Sequence, residues 1–207
     1  MTRRQELETL RRRLLACRLC AEGDDPLPHE PRPVFQLSAT ARLLIAGQAP
    51  GTRVHASGRP FTDPSGERLR EWLGIGEDIF YDPAKVAIVP MGLCFPGQDE
   101  KGADLPPRRE CAARWRDEIM AAMPQVELLL AVGQYAQQWH LGARRKRTLT
   151  ETVRNWREYL KAPEHSSRVI PLPHPSWRNN AWLKKNPWFE TDLLPVVRAE
   201  VARLTGV

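Results

Sequence analysis

A histidine between two prolines carries the clearest potential for catalysis in this chain. The tripeptide is Pro173-His174-Pro175. Proline stiffens the backbone on both sides, so the imidazole can be aimed. A positioned histidine can stabilise the charge that develops on a leaving group. A histidine that simply ends a strand would have the same neighbours, so the tripeptide alone leaves both interpretations open.

A second pattern is glycine-rich and is followed by an aromatic residue. The sequence GQAPG occupies residues 47–51, and GRPF occupies residues 58–61. Glycine allows backbone N–H groups to approach a ligand closely. Phe61 follows a proline on a constrained loop, where its ring could stack on a flat base. A plain turn and a core phenylalanine are the simpler interpretation.

The chain has four cysteines, and they form a third pattern. Cys17 and Cys20 make a C-x-x-C pair, while Cys94 and Cys111 lie far along the chain. Such a set in a cytosolic protein favours a metal or redox site over two disulfides. Four thiolates suit a four-iron cluster or a tetrahedral zinc ion, and their spacing does not decide between them.

The elements that must position these residues alternate along the chain. Short apolar runs predict four buried parallel strands, and amphipathic segments predict helices between them. The strands are expected at 41–47, 85–91, 126–133 and 168–173, and the helices at 2–16, 65–74, 108–122, 134–141 and 190–204. This order predicts a three-layer α/β/α sandwich around a mostly parallel four-stranded sheet, as one domain over residues 1–207. Ligands of such folds bind beyond the carboxyl ends of the strands, where Gly47 and His174 stand.

Composition narrows the class of protein. The 207 residues include 31 Lys and Arg against 25 Asp and Glu, a net charge of +6, which suits either a nucleic-acid partner or an ordinary basic protein. No stretch approaches the roughly 20 apolar residues that cross a bilayer, so no membrane partner is expected. The N-terminus is charged and precedes no apolar segment, which predicts a cytoplasmic protein. The sequence carries no oligomerisation signal, and we expect a monomer.

Together the motifs resemble the uracil-DNA glycosylase superfamily, and specifically its iron–sulfur family, often called family four. That family has G-E-x-P-G followed by G-[RK]-P-F, which GQAPG at 47–51 and GRPF at 58–61 resemble. Its last motif is His-Pro after the fourth strand, as at His174 and Pro175. The resemblance extends from residue 10 to about residue 180.

The resemblance implies a DNA-repair enzyme that hydrolyses the N-glycosidic bond of uracil, or of a related deaminated base, and leaves an abasic site. The base must leave the helix because the target bond is shielded inside the stack. By the family's roles, Gly47, Gln48 and Ala49 line the pocket with backbone amides and Phe61 stacks on the base. His174 would donate a hydrogen bond to a uracil oxygen as the bond breaks, and water would then attack the sugar carbon.

The resemblance also implies a cofactor and a DNA-binding segment. The family holds a 4Fe–4S cluster with four cysteines placed like Cys17, Cys20, Cys94 and Cys111, which favours the cluster over zinc. The loop after the last motif enters the minor groove, where an apolar wedge flanked by cations is suited to the task. Trp177 or Leu183 is the candidate wedge. The DNA-binding candidates here are Ser176, Trp177, Arg178, Lys184 and Lys185.

This sequence departs at one position from the best-known uracil enzymes and at three from the iron–sulfur family. Ala49 stands where the best-known uracil enzymes have a water-activating aspartate, although the iron–sulfur family also has a small residue there. Gln48 replaces the usual glutamate, and His55 stands where an acid is expected and could substitute for it. Pro90 replaces an asparagine that reads the uracil edge. The sequence therefore predicts a divergent member of the family.

These departures keep other functions open. One is a protein of the same fold that binds damaged or abasic DNA with little turnover. Another is a metal-stabilised nucleic-acid module, which would not depend on His174. A covalent variant of the superfamily uses a histidine on a basic loop before the last strand. His165 precedes that strand, but the residues around it do not match the loop.

Overall fold

The computed structural model describes residues 2–22, 25–161 and 167–207, and its centre is a parallel sheet of four strands. The strand order is β2-β1-β3-β4, and every pairing is parallel. The strands are β1 (Leu43–Ala46), β2 (Val86–Ile88), β3 (Leu128–Val132) and β4 (Arg168–Leu172). Strand β1 pairs with β2 on one side and with β3 on the other. The connections from β1 therefore run to opposite sides of the sheet, and a crevice opens at the carboxyl ends of the strands.

The strands are short and apolar because both faces of the sheet are covered. Leu43 and Ile45 pack into one hydrophobic cluster, whereas Leu44 and Ala46 pack into the other. Successive side chains of a strand point to opposite faces, so a strand buried on both sides must be apolar throughout. This explains the continuous run of hydrophobic residues along β1.

Helices of two layers cover the two faces. They are α1 (Arg3–Leu15), α2 (Thr52–Ser57), α3 (Pro64–Leu73), α4 (Glu77–Phe80), α5 (Arg109–Ala122), α6 (Gln134–Leu141), α7 (Leu149–Arg154), α8 (Trp156–Leu160), α9 (Asn180–Lys185) and α10 (Leu194–Thr205). Helices α1, α5 and α6 contribute to the cluster on one face. Helices α3, α7 and α10 contribute to the cluster on the other, together with a π-helical turn at Phe189–Leu193. The predicted three-layer α/β/α sandwich is confirmed.

Helix α3 starts beside the glycine-rich loops and is fixed there by its first residues. Asp63 caps its N-terminus by accepting a hydrogen bond from the Gly66 N–H, and proline takes the first helical position. Gly74 ends the helix in the left-handed conformation, which glycine adopts readily. The helix start is therefore well defined, and its cap, Asp63, lies two residues after Phe61.

Two segments that were expected to be loops contain helices. Helix α2 occupies part of the predicted polar loop after β1, between Gly51 and Gly58. The predicted loop at 177–185 is a 3₁₀ turn, Trp177–Asn179, followed by α9. Both helices have six residues, too few for a hydrophobic period to show in the sequence. None of the helices in the described ranges is long and apolar enough to cross a membrane.

Candidate active site

A cavity of about 70 Å³ opens at the carboxyl ends of the strands. Residues from three strand ends meet there, as expected for parallel strands that share one edge. The lining residues are Val34, Gly47, Gln48, Ala49, Pro50, Gly51, Val54, Pro60, Phe61, Asp63, Ser65, Ile88, Pro90, Asp104 and His174. The structure thus brings together five of the predicted site residues, Gly47, Gln48, Ala49, Phe61 and His174.

The glycine-rich turn after β1 is held by backbone hydrogen bonds to the segment after β2. The Met91 N–H donates to the Gly47 carbonyl at 3.0 Å, and the Gly92 N–H donates to the Gln48 carbonyl at 2.9 Å. These bonds engage the carbonyl groups of the turn and leave its N–H groups out. The N–H groups of Gln48 and Ala49 donate to no other group of the described chain. They therefore remain able to bind a ligand oxygen in the cavity.

Phe61 is held in an uncommon backbone conformation. Its φ is +55°, and no other non-glycine residue in the described ranges has a positive φ. The Tyr81 hydroxyl donates to the carbonyls of Pro60, at 2.9 Å, and Phe61, at 3.0 Å. A Cβ on Gly66 would lie 1.9 Å from the Phe61 carbonyl oxygen, and a Cβ on Gly47 would lie 3.2 Å from the ring. Strain of this kind persists where the surroundings enforce it, and it is common at ligand sites.

One ring nitrogen of His174 accepts a hydrogen bond from the backbone two residues later. The Ser176 N–H donates to Nδ1 at 3.3 Å, so Nδ1 accepts and the ring proton of the neutral form belongs on Nε2. The Asn179 side chain donates to the His174 carbonyl at 2.7 Å and holds the turn. Burial lowers the pKa of His174, which the charges of Asp63 and Asp104 partly offset. The site therefore holds a neutral imidazole that can donate from Nε2 at neutral pH.

Two carboxylates that the sequence analysis did not select also line the cavity. The charges of Asp63 and Asp104 both act on His174. Asp63 is the cap of α3, whereas Asp104 accepts from the Gln98 side chain at 3.1 Å and faces Gly51. The sequence carries a signal for the first, because an aspartate directly before a proline is typical of a helix start. Asp104 lies on an irregular loop and has no comparable signal.

His55 does not line the cavity. Its ring packs against His29, with centroids 4.3 Å apart, and against Phe95, at 5.6 Å. Burial lowers the pKa of His55, with smaller effects from His29 and Arg32. Helix α2 turns the side chain to this position, which a loop assignment could not foresee. Pro90 does line the cavity, and its side chain offers no hydrogen-bond donor.

The segment after His174 presents one aromatic side chain to solvent. Trp177 is 72% exposed, whereas Leu183 is half-buried and packs on the core. Of the two candidate wedges, Trp177 is the one that is mainly exposed to solvent. Arg68 of α3 anchors the segment by donating to the Ser176 carbonyl at 3.2 Å and to the Asn180 side chain at 2.8 Å.

The cations of this segment face solvent, where a phosphate could reach them. Arg178, Lys184 and Lys185 are exposed, and Ser176 is half-buried. The Arg178 guanidinium lies 5.9 Å from the Trp177 ring centroid. His165 lies outside the described residues.

The four cysteines come from distant parts of the chain and meet beside α1 and α5. Cys17 follows α1, Cys20 lies in a 3₁₀ turn, Cys94 follows β2 and Cys111 is in the first turn of α5. Burial raises the pKa values of the Cys94 and Cys111 thiols to about 12. Charges on neighbouring thiols raise them further, and every pair among the four cysteines interacts in this way.

N–H donors surround these thiols. The Trp115 indole donates to the Cys17 sulfur at 3.3 Å, the Leu93 N–H donates to the Cys111 sulfur at 3.3 Å, and the Arg32 backbone hydrogen-bonds Cys94. Hydrogen bonds to sulfur are a feature of protein iron–sulfur centres. In the described ranges no group of three or more His, Cys, Asp and Glu side chains is placed to hold a metal ion. A cluster sets its thiolates further apart than one ion does, because four irons lie between them. Four thiols are the donor type that an iron–sulfur cluster or a zinc ion uses.

The fold and the cavity together define an α/β protein with a candidate site at the carboxyl ends of a parallel sheet. Residues 34–198 match the family model described as the uracil DNA glycosylase superfamily, and the chain belongs to that superfamily. It is similar to a solution NMR structure of a candidate uracil DNA glycosylase from Methanosarcina acetivorans. The two are 13% identical with a TM-score of 0.45, over 80% of this chain and 94% of the other.

Proposed function

We propose that this protein is a DNA glycosylase that hydrolyses the N-glycosidic bond of uracil, or of a related deaminated base, in DNA. The observation that carries the proposal is the orientation of His174 in the cavity. Its Nδ1 accepts from the Ser176 N–H, which leaves Nε2–H as the donor. A neutral donor suits a leaving group that becomes an anion, because it stabilises the charge without giving up its proton.

The other lining residues supply stacking and polar contacts for the base. The Phe61 ring packs over Gly47, and its backbone is enforced by Tyr81 and Gly66. The free N–H groups of Gln48 and Ala49 can bind a uracil carbonyl. The Gln48 side chain lines the cavity and carries both a donor and an acceptor. We assign it the contact with the base edge that Pro90 cannot make.

DNA would approach over the segment after His174. Trp177 is the proposed wedge that fills the gap left by the flipped base, and Arg178, Lys184 and Lys185 would meet phosphates. The net charge of +6 favours this approach.

The cofactor in this proposal is a 4Fe–4S cluster held by Cys17, Cys20, Cys94 and Cys111, with zinc as the competing occupant. When bound, the cluster supplies a structural cross-link and takes no part in bond cleavage. Its ligands would tie the end of α1 and the start of α5 to the loop after β2, which also forms the wall of the cavity at Pro90.

The test is uracil release from a labelled uracil-containing oligonucleotide, with wild type compared to His174→Ala. We expect kcat to fall roughly 100-fold or more in the variant, the usual effect of removing one positioned charge-stabilising donor. Binding of the same DNA should change little, since His174 acts on the transition state. Equal release by the two proteins would remove the assigned role.

A second function keeps the same fold without efficient turnover. The presence of Pro90 at the position where the family reads the base favours it. A wild-type protein that carries its cofactor and binds uracil-containing or abasic DNA tightly, but releases no base from single- or double-stranded substrate, would establish this DNA-binding function instead.

A further inference from the structure

Arg116 is a buried cation on the helix that carries Cys111, and it hydrogen-bonds a residue that lines the cavity. It is on α5, five residues after Cys111, and only 1% of it is exposed. One terminal nitrogen donates to the Val89 carbonyl at 2.8 Å and to the Pro90 carbonyl at 3.4 Å. Its Nε and its second terminal nitrogen donate to Nε2 of His140, at 3.0 and 2.8 Å.

No carboxylate in the described chain pairs with this cation. Burial lowers the pKa of Arg116 to about 10, so the guanidinium stays charged at neutral pH. His140 cannot balance that charge, because an imidazole is either neutral or a second cation; burial and Arg116 both lower its pKa and keep it neutral. The acidic group that acts on Arg116 is Cys111, which carries a negative charge only as a thiolate, the form in which it binds a metal. A fully buried cation is costly without such a partner. The Leu93 N–H that binds the Cys111 sulfur belongs to the same segment whose Val89 and Pro90 carbonyls bind Arg116.

The same guanidinium holds the wall of the cavity. Pro90 lines the cavity, and the next two residues donate to the carbonyls of Gly47 and Gln48. Arg116 binds the Val89 and Pro90 carbonyls from the other side. A shift of the guanidinium would therefore move the segment after β2 and, through it, the turn that carries the proposed base-binding amides.

We propose that Arg116 is the buried counter-charge of the four-cysteine centre and a positioning residue that couples this centre to the cavity wall. The inference rests on the cofactor assigned above. Four thiolates around a four-iron cluster or around zinc leave a net negative charge, which the guanidinium offsets. Loss of the cofactor leaves Arg116 unbalanced beside Val89 and Pro90, so the cavity loses its shape together with the metal.

The experiment compares wild type with Arg116→Met, Arg116→Lys and Arg109→Met, each purified with its cofactor. Arg109 is the matched control, because it is an exposed cation on the same helix. Iron and zinc per chain, the rate of iron release to a chelator and the cluster's reduction potential are measured. We expect Arg116→Met to release iron at least about tenfold faster and to have a lower potential. Arg109→Met should match wild type, because solvent screens its charge.

Arg116→Lys separates charge from position. It keeps the cation, so iron release and potential should stay near wild type at neutral pH. Lysine lacks the planar guanidinium that binds two carbonyls and His140 at once, so the cavity wall is held less firmly. KM for uracil-containing DNA should therefore rise. Buried lysine loses its proton more readily than arginine does, so raising the pH should lower the potential of this variant more than that of wild type.

Unchanged iron release and potential in Arg116→Met would overturn the proposal. Should that variant fail to fold, the absence of any extra pH effect on Arg116→Lys would overturn it equally. If the chain carries zinc, the rate of zinc release decides in the same way. Metal release and reduction potential need no base release, so both are independent of the glycosylase assignment, on which only the KM measurement depends.

Discussion

If the protein is a glycosylase as proposed, Asp63 is the carboxylate that we expect to position the attacking water. Of the two acidic residues that act on His174 it has the larger effect, and one of its oxygens is committed to the cap of α3. The second oxygen remains for a ligand. Asp104 has the smaller effect on His174 and is held by Gln98. A carboxylate near the sugar would orient water and stabilise positive charge at the reacting carbon.

We predict that Asp63→Asn lowers kcat for uracil release about 100-fold with little change in KM, because a positioned base acts mainly on the transition state. Asparagine retains the helix cap, so the fold should survive the change. Single-turnover release with excess enzyme is the measurement, and Asp104→Asn, with a smaller expected loss, is the comparison. A larger loss in Asp104→Asn would transfer the role to Asp104.

At the level of elements, the strands and the position of the site were predicted from different features of the sequence. Burial on both faces makes β1 and β3 continuously apolar, so sequence alone predicted them. The proximity of Gly47 and His174 was also predictable, because the carboxyl ends of parallel strands lie along one edge of the sheet. Short helices were missed because two turns show no clear period. That is why the orientation of His55 on α2 required the structure.

The turn at Trp177–Asn179 gives a prediction about DNA. Trp177 is 72% exposed in a segment that Arg68 anchors, so it can enter a base step without disturbing the core. Trp177→Ala should raise KM for duplex uracil DNA about tenfold, as expected from losing one aromatic stack, with a smaller effect on single strands. Trp139→Ala is the matched control, since Trp139 is exposed on α6 outside this segment. Equal losses on both substrates would argue against a wedge.

At the scale of the whole molecule, the hydrogen-bonded pair of buried Arg116 and half-buried His140 joins two helices of one layer. Arg116 comes from α5 and His140 from the last turn of α6. Both helices pack on the same face of the sheet. Because His140 accepts two hydrogen bonds at Nε2, the pair exists only while this imidazole is neutral. Proton uptake therefore opposes the packing of the layer that also carries Cys111.

Because the folded protein keeps His140 neutral, its stability should fall as the pH is lowered. The pKa of His140 is far below its ordinary value of about 6.5, first through burial and then through Arg116. As pH falls below about 6.5, the unfolded chain binds a proton that the folded chain excludes. The free energy of unfolding should then fall by about 1.4 kcal/mol per pH unit until the folded pKa is reached. Burial of His174 acts in the same direction.

His140→Gln isolates this contribution, because glutamine offers a neutral acceptor where the imidazole has Nε2. Denaturant unfolding of wild type and variant at about pH 7.5 and about pH 5.5 is the measurement, since ordinary carboxylates titrate mainly below this window. The variant should lose about 1 kcal/mol less than wild type between the two pH values. The same loss in both proteins would mean that His140 binds its proton equally in the folded and unfolded chains. In that case Arg116 would not keep the imidazole neutral, and the link between α5 and α6 would not depend on pH.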